Sequence, residues 1–90
     1  MVIKRSQKVL TSDFPPRKVV FNTATRVPYI LNGTGSEIWD LCDRPRSLDE
    51  LVDHLFQKHG VDTKSAASDV NAFVKELKKR GLLDEVKSKM

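Results

Sequence analysis

Cysteine, aromatic residues and long apolar runs are all scarce in this chain of 90 residues. Its single cysteine, Cys42, excludes an internal disulfide and is typical of a protein from a reducing compartment. No stretch is apolar for long enough to cross a bilayer, and the first residues lack the apolar run of a signal peptide. These absences predict one cytoplasmic domain over residues 1–90, with no membrane partner.

Motifs that carry catalysis or bind metals are also missing. No Gly-x-Ser-x-Gly, His-Glu-x-x-His or phosphate-binding glycine loop occurs. Cys42 lies in an apolar stretch, where a thiol behaves as a small hydrophobe. His54 and His59 are turned about 140° apart on one predicted helix, and no second cysteine completes a tetrahedral site. The sequence therefore predicts a protein that is not an enzyme and has no metal and no cofactor.

The charge of the chain favours acidic partners without choosing among them. Charged residues make up 31% of the sequence, and the formal net charge is +4. Such a balance suits nucleic acid, an acidic peptide or an acidic protein surface. Ordinary solubility explains a charge of this size equally well, so the class of partner stays open on this ground.

Three short strands are predicted in the first third of the chain. Residues 8–11, 18–22 and 26–31 are rich in β-branched and other apolar side chains. The run from Asp13 to Pro16 is expected to break the chain between the first two strands. Residues 23–25 are short and polar enough to connect the second and third as a hairpin.

The third strand is predicted to lie at a sheet edge, because Pro28 has no N–H to donate to a ladder. Backbone groups of an antiparallel strand alternate in direction from one residue to the next. Since Pro28 is tolerated only where its nitrogen faces away from the neighbouring strand, two sets follow. Val27, Tyr29 and Leu31 should bond inward, whereas Arg26, Pro28 and Ile30 should face the open edge.

Three helices are predicted in the rest of the chain. Capping boxes formed by Thr34 with Glu37 and by Ser47 with Glu50 indicate the starts of the first two. Asp62 or Thr63 can cap the third. The second and third helices each carry an apolar stripe at helical spacing, which predicts that they share one core.

Together these elements predict an α+β domain of winged-helix type, with three short antiparallel strands followed by three helices. Trp39, in the first helix, is expected to be buried, with a partner for its indole N–H. Leu82 and Leu83 are expected to fold back onto the core, and residues 85–90 to fray.

An ordered set of segments resembles the PqqD family, small proteins named for pyrroloquinoline quinone biosynthesis. The resemblance covers about residues 17–83. The signature lies at the end of the third strand and in the first helix, where Leu31-Asn32 is followed by Ile38-Trp39 and Leu41. The segments that carry the resemblance are Tyr29–Asp43, Arg46–Val52, His59–Asp62, Asp69–Leu77 and Gly81–Leu83.

The resemblance implies a peptide chaperone that recognises the leader segment of a ribosomally made precursor peptide. In that family the leader adds as a strand to the edge of the third strand and packs into the groove beside the third helix. The domain then presents the peptide to a modifying enzyme, often a radical S-adenosylmethionine enzyme. The product is pyrroloquinoline quinone or a related peptide-derived compound.

The residues expected to bind peptide lie on the third strand and on one flank of the third helix. The strand contributes residues 26–31, whose backbone forms the edge. The opposite flank of the helix, with Asp69, Phe73, Glu76 and Arg80, stays open as an alternative. The complete set is Arg26, Val27, Pro28, Tyr29, Ile30, Leu31, Val70, Asn71, Val74 and Lys78.

A winged-helix protein that binds DNA is the alternative from another functional class. The basic run Lys78-Lys79-Arg80 favours it. The N-terminal half of the third helix, which would enter a major groove, lacks the arginines that read guanine and carries Asp69. The sequence therefore disfavours nucleic acid as the partner.

Overall fold

The computed structural model describes residues 1–15, 17–31 and 33–86. Expectations for Pro16, Asn32 and residues 87–90 lie outside the described residues. The described elements, in chain order, are β1 Val2–Arg5, β2 Val9–Phe14, β3 Arg17–Asn22, β4 Pro28–Leu31, α1 Gly33–Leu41, β5 Arg46–Ser47, α2 Leu48–His59, α3 Thr63–Lys79 and β6 Leu83–Val86.

The strands form two antiparallel sheets, one in the order β2-β3-β4 and one in the order β5-β1-β6. The first sheet is a meander whose strands correspond to the three predicted from the sequence. The second brings the N-terminal strand between two segments from the second half of the chain. The mixed α+β architecture with antiparallel strands and three helices is confirmed.

The strand predictions were incomplete in two respects. Asp13 and Phe14 do not break the chain, since they continue β2 and pair with Lys18 and Arg17. The strands β1, β5 and β6 were not predicted, and Glu85 lies within β6 rather than in a frayed tail. Strand β1 has few apolar residues and is held by partners that are distant in sequence, so its local pattern carries little signal.

The starts of α2 and α3 follow from caps that the sequence predicted, whereas α1 begins at Gly33, before the Thr34 that was predicted to cap it. The Ser47 side chain accepts the Glu50 N–H and the Glu50 carboxylate accepts the Ser47 N–H, which completes the capping box of α2. Helix α2 ends at Gly60, whose φ of 65° suits glycine. Asp62 caps α3 through the N–H of Ser65. No helix in the described ranges is long and apolar enough to cross a membrane.

Trp39 lies at the centre of the core, as the sequence predicted. Its side chain has no exposed surface, and its indole N–H donates to the Thr11 hydroxyl at 3.1 Å. The Arg5 guanidinium lies 4.8 Å from the ring centre. Leu82 and Leu83 are also buried, as expected. The buried core comprises Ile3, Val20, Leu31, Ile38, Trp39, Cys42, Leu51, Leu55, Ala66, Val70, Val74, Leu77, Leu82 and Leu83.

Candidate functional site

Strand β4 forms an open edge of the β2-β3-β4 sheet. In the described part of the chain it pairs only with β3, and Val20 is opposite Tyr29 while Val19 is opposite Ile30. Its far side therefore presents backbone groups that have no strand partner. Unpaired groups of this kind are a template for another extended segment.

Two hydrogen bonds determine which backbone groups face that edge. The Thr23 N–H donates to the Lys8 carbonyl at 2.7 Å, so the backbone N–H and C=O of Thr23 face β2. The Asn22 carbonyl accepts the Arg26 N–H at 2.8 Å, so Asn22 points toward β4. The backbone N–H and C=O groups change side with each residue along a strand. Those of Val20, two residues before Asn22, therefore also face β4.

Tyr29, which is opposite Val20, therefore bonds inward to β3, and its neighbours point the other way. The N–H and C=O of Ile30 and the C=O of Pro28 face the open edge. This is the direction that the position of Pro28 predicted from the sequence. The Ile30 side chain is 59% exposed, so the edge is accessible at this residue.

Arg26 and Val27 do not belong to this edge, which corrects the sequence prediction. Strand β4 begins only at Pro28. Arg26 has a φ of 60°, the left-handed region, and its N–H is already bonded to Asn22 in the turn. Neither residue can extend the ladder, so a docked strand has a shorter template than residues 26–31 would provide.

One flank of α3 lies beside the edge and the start of α1. The Arg80 guanidinium stacks over the Tyr29 ring, 4.7 Å from its centre. A Cβ atom added to Gly35 would lie 3.1 Å from Phe73 Cε1 and 3.8 Å from Leu31 Cδ2. Phe73 and Arg80 are seven residues apart and therefore share a face of the helix. Glu76 completes this flank through its ion pair with Arg80 at 3.1 Å.

Asn71 and Lys78 lie on the other flank of α3 from Arg80, and their role in peptide binding stays a prediction. Lys78 forms an ion pair with Glu85 of β6 at 3.0 Å. Both residues are turned about 160–180° around the helix from Arg80. The alternative flank of Asp69, Phe73, Glu76 and Arg80 is the one on the side of β4.

Leu31, Val70 and Val74 are buried, with at most 3% of each side chain exposed. They belong to the core and lie beneath the surface on which a ligand would rest. Substitution of any of them is therefore expected to act through stability. Tyr29 and Phe73, which are half-buried and pack against that core, form the apolar surface of the groove.

A shallow pocket of about 200 Å³ lies where the turn before β4 meets the end of α3. It is lined by Thr25, Val27, Lys79 and Arg80. Lys79 is exposed and forms no ion pair within residues 1–15, 17–31 and 33–86. With Arg26 close by in sequence and also exposed, this end of the edge is positively charged and suits an acidic side chain.

Cys42 and His59 have structural roles. Cys42 is fully buried, and burial raises the pKa of its thiol to about 11. His59 Nε2 lies 2.6 Å from the Glu37 carboxylate, and Lys58 Nζ lies 2.5 Å from it. Glu37 therefore joins α1 to α2, instead of closing the capping box predicted with Thr34. Among the described residues, no group of three or more potential ligands could hold a metal ion.

The family model for coenzyme PQQ synthesis protein D (PqqD) matches residues 17–83. No curated protein sequence matches the chain. Two solved structures are similar to it in fold. TbiB1 in complex with the TbiA(beta) leader peptide has a TM-score of 0.85 and 25% sequence identity, over 94% of this chain and 99% of TbiB1.

The second is a lasso peptide synthetase B1 complexed with its leader peptide. Its TM-score is 0.81 and its sequence identity 18%, over 92% of this chain and 98% of that protein. At this identity the likeness concerns the fold alone.

Proposed function

The chain belongs to the PqqD family, and we propose that it binds the leader segment of a ribosomally made precursor peptide and presents it to a modifying enzyme. The observation that carries this proposal is the open edge of β4 beside the Phe73–Arg80 flank of α3. Addition of an extended peptide to such an edge is a common mode of peptide recognition. The leader peptide bound by TbiB1, which shares the fold, supports the same function.

The leader adds to β4 as a fourth strand of the β2-β3-β4 sheet. It pairs with the N–H and C=O of Ile30 and with the C=O of Pro28, because these groups face outward. Pro28 offers no donor, which also blunts the empty edge against unwanted pairing between copies of the chain. Pairing alone is independent of sequence, so the side chains of the peptide must supply the specificity.

Side chains of the bound strand alternate between two surfaces. Those on the inner face rest against Tyr29 and Phe73, where an apolar residue fits. Near the turn before β4, Lys79 and Arg80 favour an acidic residue. A leader with alternating apolar positions and an acidic residue near one end therefore matches this groove.

The domain itself is proposed to be non-catalytic and cytoplasmic, and to act as a single unit over residues 1–90. Its one thiol is buried and the imidazole of His59 lies 2.6 Å from the Glu37 carboxylate, which supports a binding role. The chemistry then belongs to the partner, such as a radical S-adenosylmethionine enzyme. DNA binding is not supported, because the similar structures hold peptides and the N-terminal half of α3 lacks arginine.

Hydrogen exchange with and without a synthetic leader tests the mode of binding. The peptide is a synthetic leader with alternating apolar positions and an acidic residue near one end, and a scrambled peptide is the control. The Ile30 amide should exchange fast in the free domain and become protected on binding. The Tyr29 amide should be protected throughout. Protection of Ile30 in the free domain, or no change at Ile30 on saturation, would contradict strand addition to β4.

A further inference from the structure

The outer face of the β2-β3-β4 sheet is apolar and open to solvent. Alternation along the strands divides the side chains into two sets. Thr11 binds Trp39, Lys18 binds Asp40 and Val20 is buried, so these three define the inner face. The outer face carries the apolar residues Leu10, Phe14, Val19, Phe21, Pro28 and Ile30, together with Ser12 and Arg17.

The register of the sheet makes this outer face continuous. Leu10, Phe21 and Pro28 are cross-strand neighbours, and Val19 lies beside Ile30 in the next row. Leu10 is 54% exposed and Phe14 is 63% exposed. Such a contiguous apolar surface on a small charged domain is typical of an interaction site.

The charges around the outer face are all positive. Arg17 lies opposite Phe14 in the register, Lys8 directly precedes β2, and Arg26 occupies the turn before β4. All three are exposed, and no ion pair involves them in the described part of the chain. The one acid of β2, Asp13, pairs with Lys18 on the inner face. The matching partner surface is therefore apolar with an acidic rim.

We infer that this outer face is the docking surface for the modifying enzyme, an inference that rests on the proposed function. A leader added to β4 extends the sheet beyond Ile30, so its outward side chains continue the same apolar face. A protein bound there touches the domain and the peptide together. A second copy of this chain is a poorer occupant, because the cations around one outer face would repel the same cations around the other.

Shared contact with the peptide has a thermodynamic consequence. If the enzyme binds the face and the outward side of the leader together, each ligand raises the affinity for the other by the same factor. The enzyme should therefore bind the complex of domain and leader more tightly than the free domain. This coupling distinguishes the outer face from a site elsewhere on the domain.

The substitutions that test the outer face lie two strands away from the peptide-binding edge, so they should affect enzyme binding alone. Leu10 and Phe14 lie on β2, about 10 Å from β4 at ordinary strand spacing. The double variant Leu10→Ser/Phe14→Ser is compared with Phe56→Ser, which removes an apolar side chain that is 48% exposed on α2. Leader affinity is measured by fluorescence anisotropy with a labelled synthetic leader. Enzyme affinity is measured by interferometry with a purified modifying enzyme of the proposed partner class, a radical S-adenosylmethionine enzyme.

The double variant should bind the leader as the wild type does and lose at least about tenfold in affinity for the enzyme. Phe56→Ser should change neither. Arg17→Glu, a change at an exposed residue, should keep the fold, weaken the enzyme complex and flatten its salt dependence, whereas Arg44→Glu should not. Unaltered enzyme affinity in both the double variant and Arg17→Glu overturns the inference.

Two further outcomes also overturn it. One is self-association of the wild type that the double variant abolishes in sedimentation. The other is loss of binding to anionic lipid vesicles in the double variant while enzyme affinity is kept. Failure of the proposed function is read separately: a wild-type domain that binds the enzyme through this face but shows no affinity for the leader refutes strand addition alone.

Discussion

Trp39 and Ile30 differ in how completely their polar groups are satisfied inside the domain. Trp39 is fully buried, its indole N–H is bonded to Thr11, and its C=O accepts two hydrogen bonds from Arg5. Ile30 is mostly exposed, and its backbone faces an edge where no described strand pairs with it. The first region stabilises the fold, whereas the second keeps hydrogen bonds available for a ligand.

The largest effect should come from removing the indole at the centre of the stable region. Trp39→Ala leaves a cavity, removes the donor to the Thr11 hydroxyl and removes the ring beneath the Arg5 guanidinium, which keeps its hydrogen bonds to the backbone carbonyl of residue 39. Loss of a large aromatic side chain from a core costs about 3–5 kcal/mol, a large share of the stability of a small domain. Thermal and urea unfolding measure it, and Phe56→Ala on the exposed side of α2 is the control. A melting temperature equal to that of the wild type would show that Trp39 does not hold the core.

The pH dependence of stability should show how much the Glu37 carboxylate, which joins α1 to α2, stabilises the fold. The hydrogen bond from Lys58, followed by that from His59, lowers the pKa of Glu37 to about 2. A lowered pKa means that the stabilisation is complete above pH 4.5, the ordinary value, and is lost as the pH falls toward 2. The loss is at most about 3 kcal/mol.

Glu37→Gln provides the comparison for that loss. The variant should be less stable than the wild type at pH 7, and the two should converge only as the pH falls to about 2, where the wild-type carboxyl becomes protonated. Chemical denaturation at a series of pH values gives the difference directly. A difference that stays constant with pH would mean that the carboxylate charge is not what joins α1 to α2.

A pair of proline substitutions tests the contrast at the edge itself. Tyr29→Pro removes an N–H that bonds to β3 and should cost about 1–3 kcal/mol of stability. Ile30→Pro removes an N–H that faces outward, so the free domain should lose far less. For leader affinity, Ile30→Pro should weaken binding by about 0.5–1.5 kcal/mol, the net value of one hydrogen bond. Equal destabilisation by the two variants would reverse the register of β4.

The sequence predicted well what depends on local pattern. The Ser47–Glu50 capping box, the Asp62 cap and the apolar stripes define α2 and α3 from neighbouring residues alone. Pro28 predicted which backbone groups of β4 face outward, because a residue without an N–H is tolerated only where its nitrogen faces away from the paired strand. Each of these predictions needs only the chemistry of a few adjacent residues.

Other features depend on partners that the local pattern does not contain. Strand β1 pairs with β6, more than 70 residues away in the chain, so its short and charged sequence gave no signal. The left-handed conformation of Arg26 arises from the hairpin turn and not from a glycine or asparagine. Glu37 could have capped α1, but one lysine and two histidines of α2 (Lys58, His54 and His59) compete for its carboxylate.

The flank of α3 beside β4 was the least predictable part of the site. Phe73 with Arg80 and Asn71 with Lys78 border the same buried stripe from opposite sides, so helical periodicity treats them alike. The position of β6 distinguishes them, because Glu85 attracts Lys78 to one side. The stacking of Arg80 on Tyr29 then identifies the side of the edge.

Substitutions on these two flanks should give the smallest effect, and they compare stability with binding at neighbouring positions of one helix. Arg80 is exposed for about two fifths of its side chain, 42%, so the Arg80→Ala variant should fold with nearly wild-type stability. A bound leader would cover the stacked Arg80 and Tyr29, and a cation–π contact strengthens when water is removed from it. Leader affinity in Arg80→Ala should therefore fall by about 0.5–1 kcal/mol, or severalfold.

Lys78→Ala, a matched loss of one cation on the other flank, should leave leader affinity unchanged and reduce only the weak pairing with Glu85. Anisotropy titrations at two salt concentrations separate a local contact from a general effect of net charge, since only the latter would affect both variants equally. A larger loss of affinity in Lys78→Ala than in Arg80→Ala would place the groove on the far side of α3, away from β4.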